Sequence, residues 1–60
     1  MFTYTLTAYE KDGTKLIDEV FEAENDELAR YRGENKLIEL GLSEKTSRVT
    51  SRGKLIHFHR

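Results

Sequence analysis

The chain has 60 residues, 37% of them hydrophobic and 35% charged, with ten basic residues against eleven acidic ones and neither cysteine nor proline. A chain of this length buries only about 60% of the surface that it exposes when unfolded, so we expect one domain over residues 1–60, a thin core and no large substrate cleft. The composition excludes disulfides, thiolate metal clusters and a thiol nucleophile, and the absence of a long apolar run or a secretory leader favours a cytoplasmic protein with no membrane partner.

The first 23 residues predict a β-hairpin. Apolar and polar residues alternate from Phe2 to Tyr9, as in a half-buried strand. Asp12 and Gly13 are suited to the two left-handed positions of a type I′ turn, and residues 15–23 return as the second strand. We therefore expect a two-residue loop.

The loop length decides the register of this hairpin. A two-residue loop gives four favourable pairs: Lys15 with Glu10, Ile17 with Ala8, Phe21 with Tyr4 and Ala23 with Phe2. A three-residue loop would shift the pairing by one and turn Phe21 and Ala23 away from the core, so the first register is preferred. Its one unfavourable pair sets Glu19 opposite Leu6, and Glu19 then requires the sheet rim or a neighbouring base.

A helix is predicted from Asp26 to Leu40, with a signal at each end. Asn25 is a good N-cap, and acidic residues in the first turn match the positive end of the helix dipole. Gly41 is suited to the left-handed position after the helix, and Leu42 follows it as in a Schellman motif. Both ends of the helix are therefore predicted from local sequence.

The two sides of this helix differ. One side is expected to face a sheet and carries Ala29, Gly33, Leu37 and Leu40. Gly33 costs about 1 kcal/mol relative to alanine inside a helix, which favours a close approach to the sheet, the alternative being that the helix simply tolerates a glycine there. On the other side Tyr31 and Ile38 are expected to be exposed, either as ordinary surface residues or as a candidate interface with another chain.

A second hairpin is predicted from Lys45 to Arg60, with a two-residue turn at Arg52 and Gly53. This turn places Val49 opposite Ile56 and Ser47 opposite Phe58 on the core side. The outer side then pairs Thr50 with Leu55, Arg48 with His57 and Thr46 with His59.

These elements predict an α+β fold of the ββαββ type, a four-stranded sheet with one helix packed on one face. The first and last strands have the most apolar content, so we expect them in the centre, parallel to each other, in the order 2-1-4-3. The other face of the sheet then meets solvent or a partner.

Charge is distributed unevenly along the chain. Residues 1–44 contain all eleven acidic residues and five of the basic ones, whereas residues 45–60 contain five basic residues and no acid. The favoured explanation is that the two parts pair with each other inside the domain. The alternative is a basic hairpin that attracts an anion or nucleic acid.

The uncovered sheet face and its basic surroundings form the candidate binding face. Its members are Thr5, Thr7, Tyr9, Arg48, Arg52, Lys54, His57 and His59. Phosphates could bind the basic groups while a base stacks on an aromatic or imidazole ring. The competing interpretations are an ordinary solvated sheet face and a face that binds a protein.

His57 and His59 alternate along a strand, so both imidazoles project to one side, as two ligands of a zinc ion would. A third ligand is not evident, and two surface histidines beside Arg48 are the favoured interpretation. No spacing indicates a nucleophile with its base. We predict no catalytic residue, no metal site, no cofactor and no enzyme activity.

Several segments resemble the YhzD-like small proteins of Bacillus and its relatives. They are residues 4–7 (Tyr-Thr-Leu-Thr), the Asp12-Gly13 turn, residues 21–23 (Phe-Glu-Ala) before an acidic helix start, and residues 53–60 (Gly-Lys-Leu-Ile-His-Phe-His-Arg). The resemblance covers the full chain. It implies a bacterial, cytosolic protein of about this length, and, because the family has no assigned chemistry, it carries over no catalytic or binding residues.

Taken together, these features favour a non-catalytic module that binds another protein or a second copy of itself as a homodimer. The alternative is a binder of single-stranded nucleic acid or of an anion that uses the basic C-terminal hairpin and the open sheet face.

Overall fold

The computed structural model describes residues 1–59 and has the predicted ββαββ order. Its elements are β1 (Phe2–Tyr9), β2 (Lys15–Ala23), α1 (Asp26–Glu39), β3 (Thr46–Ser51) and β4 (Lys54–His59). The four strands form one antiparallel sheet, which confirms the α+β fold class. Arg60, which was assigned to the last strand from sequence, lies outside the described residues.

The strand order is β2-β1-β3-β4, so the predicted order 2-1-4-3 with parallel central strands is wrong. β3 pairs antiparallel with β1, and its inward side chains Ser47, Val49 and Ser51 are all buried. The Ser51 hydroxyl donates a hydrogen bond of 2.6 Å to the Thr3 carbonyl oxygen. A strand that is polar by composition is therefore central, because its small hydroxyl groups can satisfy their hydrogen bonds inside the sheet.

The first hairpin has the predicted pairing but a different loop. Gly13 has φ +93°, whereas Asp12 is not left-handed, so the turn is not type I′. The Gly13 N–H donates to Glu10 and the Glu10 N–H donates to Thr14, as in a three-residue loop that ends in a left-handed glycine. Lys15 therefore lies opposite Tyr9 and not opposite Glu10.

A bulge one residue later corrects this shift. Leu16 has no partner in β1, so the strand regains the expected register, with Ile17 opposite Ala8. Phe21 lies opposite Tyr4, and their rings stack with centroids 5.7 Å apart. A three-residue loop and the core-facing register are therefore compatible.

The second hairpin has the predicted two-residue turn, with φ of 54° at Arg52 and 72° at Gly53, as a type I′ turn requires. A bulge at Ile56 then shifts the remaining pairs, so that Val49 lies opposite His57. The predicted pairs of Val49 with Ile56 and of Arg48 with His57 are wrong for this reason. Only the pairs next to the turn are unaffected.

The helix ends are those predicted from sequence, within one residue. The Asn25 side chain accepts a hydrogen bond from the Leu28 N–H at 2.9 Å. Gly41 has φ +75°, and the Leu42 N–H donates to the Leu37 carbonyl at 2.7 Å, completing a Schellman motif. Leu40 is the C-cap and is 43% exposed, so it is not part of the buried face.

The core lies between α1 and the sheet, and Gly33 has the close approach that its position indicates. A β-carbon at Gly33 would lie 3.0 Å from Cγ2 of Val49 and 3.7 Å from Cδ1 of Leu6. Glu19, the unfavourable neighbour of Leu6, has the base that was expected, since Lys36 Nζ lies 3.8 Å from its Oε2. In residues 1–59 no helix combines the length and apolar content that crossing a bilayer requires.

Candidate interaction surfaces

The helix packs on one side of the sheet, and the register defines the other side, which we call the open face. Its side chains are Thr3, Thr5, Thr7 and Tyr9 of β1, Asp18, Val20 and Glu22 of β2, Thr46, Arg48 and Thr50 of β3, and Leu55 and Phe58 of β4. Within residues 1–59 no element is packed over it. The expected uncovered face therefore exists, with a partly different composition.

Four of the residues predicted for the binding face lie on the open face. Thr5, Thr7 and Tyr9 project from β1, and Arg48 lies opposite Thr7 on β3. The Arg48 guanidinium carbon is 5.2 Å from the centre of the Tyr9 ring, a cation–π distance. Among the described residues Arg48 has no carboxylate within ion-pair distance, so its charge faces outward.

Both histidines lie on the helix side of the sheet, contrary to the prediction that they flank Arg48 on the open face. The bulge at Ile56 reverses the direction of every later side chain, so His57 and His59 pair with the inward Val49 and Ser47. His57 Nε2 is 3.5 Å from Oε1 of Glu34 on the helix.

A cleft of about 240 Å³ lies between the helix and β4 at this point. It is lined by Glu34, Leu37, Ile38, Ser43, Ser47, His57 and His59. The described part of the chain nevertheless contains no set of three His, Cys, Asp or Glu side chains arranged to hold a metal ion.

Phe58 is the open-face residue that sequence reasoning missed. It was predicted on the core side opposite Ser47, but it lies opposite Arg48 and is 50% exposed. The only hint in the sequence is that both bulges fall in a Lys-Leu-Ile tripeptide after a glycine turn, at residues 15–17 and 54–56. Two adjacent apolar side chains cannot both face the core of a regular strand.

Arg52 lies at the rim on the helix side, not on the open face. Its Nη2 is 3.0 Å from Oδ1 of Asp26, and its guanidinium carbon is 3.9 Å from the centre of the Phe2 ring. Lys54 also lies outside the open face, since it pairs with the inward Ser51. Arg52 therefore belongs to an intramolecular cluster at the start of the helix.

Charge pairing between the two parts of the chain agrees with the favoured interpretation of their asymmetry. Besides the Arg52–Asp26 pair, Lys45 Nζ lies 2.7 Å from Glu10 Oε1. The hydrogen bond to Glu10 raises the pKa of Lys45 above its usual value, with help from the charge of Glu10. Two basic residues of the C-terminal part are thus neutralised within the domain.

Tyr4 also belongs to the cluster that Arg52, Asp26 and Phe2 form at the start of the helix. It is fully buried, and its hydroxyl donates a 2.6 Å hydrogen bond to Asp26 Oδ1. Burial, followed by this hydrogen bond to a carboxylate, raises the pKa of Tyr4 above its usual value. The folded chain therefore keeps Tyr4 protonated at a pH where the unfolded chain ionises it.

This difference predicts a pH dependence of stability. Because the folded pKa is the higher one, the contribution of Tyr4 is fully present below about pH 10 and is lost as the pH rises further. Urea unfolding of the wild type from pH 8 to 11 should show a falling free energy above pH 10, and Tyr4→Phe should make that fall shallower. An equal slope in both chains would contradict the assignment.

The predicted exposure of Tyr31 and Ile38 is confirmed, since each is 64% exposed. Whether they contact another chain stays a prediction. Ile38 also lines the histidine cleft, whereas Tyr31, two helical turns away on the same side of the helix, lines a separate depression beside Leu28.

The fold and its surfaces define a small ββαββ protein with one uncovered sheet face. Ion pairs join its basic C-terminal part to acidic residues of the first hairpin and the helix. The chain belongs to the YhzD-like protein family, whose model matches residues 1–60. It is 46% identical over 61 residues to a Bacillus subtilis (strain 168) protein described as "Uncharacterized protein YhzD", and the match covers all of both chains. No solved structure matches.

Proposed function

We propose that the chain is a cytoplasmic, non-catalytic protein-interaction module that binds its partner through the open face. The observation that carries the proposal is the exposure of three large apolar side chains on a face without cover. Val20 is 68% exposed, Leu55 54% and Phe58 50%. Exposed apolar groups gathered on one face of so small a domain are typical of an interaction site.

The open face is also better suited to binding than the outer helix surface. Threonines separate its apolar residues, and the sheet fixes the backbone that carries all of these side chains, so little backbone conformational entropy is lost on binding. Tyr31 and Ile38 instead stand among charged side chains such as Arg30 and Glu34, whose desolvation would oppose an interface.

The nucleic-acid alternative has less support from the geometry. Binding a phosphate backbone requires several unpaired basic groups on one surface. Lys45 and Arg52 are paired with carboxylates, both histidines lie on the helix side, and the open face carries Asp18 and Glu22 beside Arg48. The basic hairpin thus presents few free cations together.

The test is capture from a lysate of cells that also produce the untagged chain, so that a second copy counts as a partner. A tagged wild-type chain should retain a defined protein, Leu55→Asp should lose it, and the matched control Ile38→Asp should keep it. Both substitutions replace an exposed apolar residue of similar size, so the two variants differ mainly in which surface carries the new charge.

Retention that depends on Ile38 and not on Leu55 would overturn the proposal in favour of the helix surface. Salt-sensitive binding of a single-stranded oligonucleotide, measured by fluorescence anisotropy at low and moderate salt, would overturn it in favour of nucleic acid. We expect a flat anisotropy curve.

A further inference from the structure

Resting on the proposed function, we propose that the partner is a second copy of this chain, packed open face to open face about a two-fold axis nearly parallel to the strands. Sheets that pack face to face keep their strand directions within about 30° of each other, which such an axis allows. The choice of partner and axis follows from where the register places apolar and charged side chains.

One row across the open face is apolar at both ends. From β2 to β4 it runs Val20, Thr5, Thr50, Leu55, each residue lying opposite the next. A two-fold rotation parallel to the strands exchanges β2 with β4 of the other copy, so Val20 meets the partner's Leu55 and Leu55 meets the partner's Val20. The threonines of the two central strands then face each other.

The neighbouring row across the open face contains one acidic residue, on β2, and one basic residue, on β3. It runs Asp18, Thr7, Arg48, Phe58 across the same four strands. The same rotation places Asp18 over the partner's Phe58, with the partner's Arg48 on the adjacent strand and its long side chain within reach of the carboxylate. Each carboxylate therefore approaches a guanidinium, twice by symmetry.

Charge also selects the direction of the axis. A two-fold axis perpendicular to the strands would place β2 over β2 of the other copy and bring Asp18 and Glu22 against the same acidic strand. Like charges across an interface oppose association. The acidic side chains of β2 approach the partner's Arg48, and not each other, only when the rotation axis follows the strands.

The expected dimer is weak. Four strands about 4.8 Å apart and some six residues long give a face of about 400 Å² per partner. The two faces together bury about 800 Å², less than the roughly 1,200 Å² of stable specific interfaces, so we expect a transient dimer with half-dimerisation between about 100 µM and 1 mM.

A charge-exchange experiment tests the proposal. In sedimentation equilibrium Asp18→Arg and Arg48→Asp should each weaken self-association at least about tenfold, because each variant brings like charges together twice. An equimolar mixture of the two variants should associate about as well as the wild type, since both contacts become complementary again. Lys54→Asp, which lies off the open face, is the matched control and should dimerise like the wild type.

A second measurement needs no variant. Val20 and Leu55 of one chain are three strand spacings apart, about 14 Å, which is too far for a nuclear Overhauser effect between their methyl groups. In a mixture of isotope-labelled and unlabelled wild-type chain, an isotope-filtered spectrum should show that contact between the two copies.

Three results would overturn the inference: a wild type that stays monomeric at millimolar concentration, a mixture no tighter than its components, or a dimer without the Val20–Leu55 contact. A monomeric wild type together with lysate capture that depends on Leu55 would reject self-association alone and leave the proposed function standing. Loss of both would reject both.

Discussion

Replacing Leu6 by alanine is expected to remove most of the free energy of unfolding at 25 °C. Leu6 is 1% exposed and lies between Glu19 and Val49 in the sheet, under Gly33 of the helix. Truncating a buried leucine costs about 2–5 kcal/mol. A single core in a chain of this length supplies rarely more than about 3–5 kcal/mol, so the loss removes most of it.

Urea titration followed by far-UV circular dichroism measures this effect. Val20→Ala is the matched control, because Val20 is exposed on the open face and its truncation should change the free energy of unfolding by less than about 0.5 kcal/mol in dilute solution. Equal losses in the two variants would mean that the core does not lie between the helix and the sheet.

Gly33→Leu is expected to destabilise the fold by about 2–3 kcal/mol, because the space beside Gly33 is already filled. A β-carbon alone would lie 3.0 Å from Cγ2 of Val49, and leucine adds three further carbon atoms. The gain in helix propensity, about 0.8 kcal/mol, is too small to compensate for this overpacking.

Gly33→Ala is the informative comparison for this position. Its propensity gain and its tight contact with Val49 nearly cancel, so its urea midpoint should stay close to that of the wild type. In a Val49→Ala background the contact is relieved, and Gly33→Ala should become stabilising. A leucine variant as stable as the wild type would show that the helix does not approach the sheet as closely as described.

Local signals predicted most of the fold. Asn25 and Gly41 mark the helix ends through hydrogen bonds within a few residues, so their chemistry can be read without knowledge of the sheet. Phe21 opposite Tyr4 follows from matching the apolar alternation of the two strands, although the loop length assumed for it was wrong and the bulge at Leu16 compensates. The base beside Glu19 could be predicted because a carboxylate next to the buried Leu6 needs a compensating charge, which Lys36 supplies.

The strand order could not be predicted in the same way. It depends on whether the serines of β3 can be buried, and that is decided by acceptors elsewhere, such as the Thr3 carbonyl for Ser51. A ranking of strands by hydrophobic content treats every hydroxyl as costly to bury. It overestimates that cost when the hydroxyl has a hydrogen-bond partner inside the protein. An apolar count therefore assigned β3 to the edge.

The candidate site was half predictable. Thr5, Thr7 and Tyr9 follow from the alternation of β1, which has no irregularity there to reverse it. His57 and Phe58 exchanged faces because one extra residue in β4 inverts everything after it. The position of a bulge depends on packing against both faces of a strand, so it cannot be predicted from the local sequence of that strand alone.

The β2-β1-β3-β4 order also has a consequence for the rate of folding. Two of the three strand pairings join neighbours in the chain, and only the pairing of β1 with β3 must enclose the whole span between Tyr9 and Thr46. Chains dominated by near-neighbour contacts fold fast, and the entropy of closing a single long loop grows only slowly with its length. The two hairpins and the helix can thus form independently within microseconds, and we expect the docking of β3 against β1 to set the folding time.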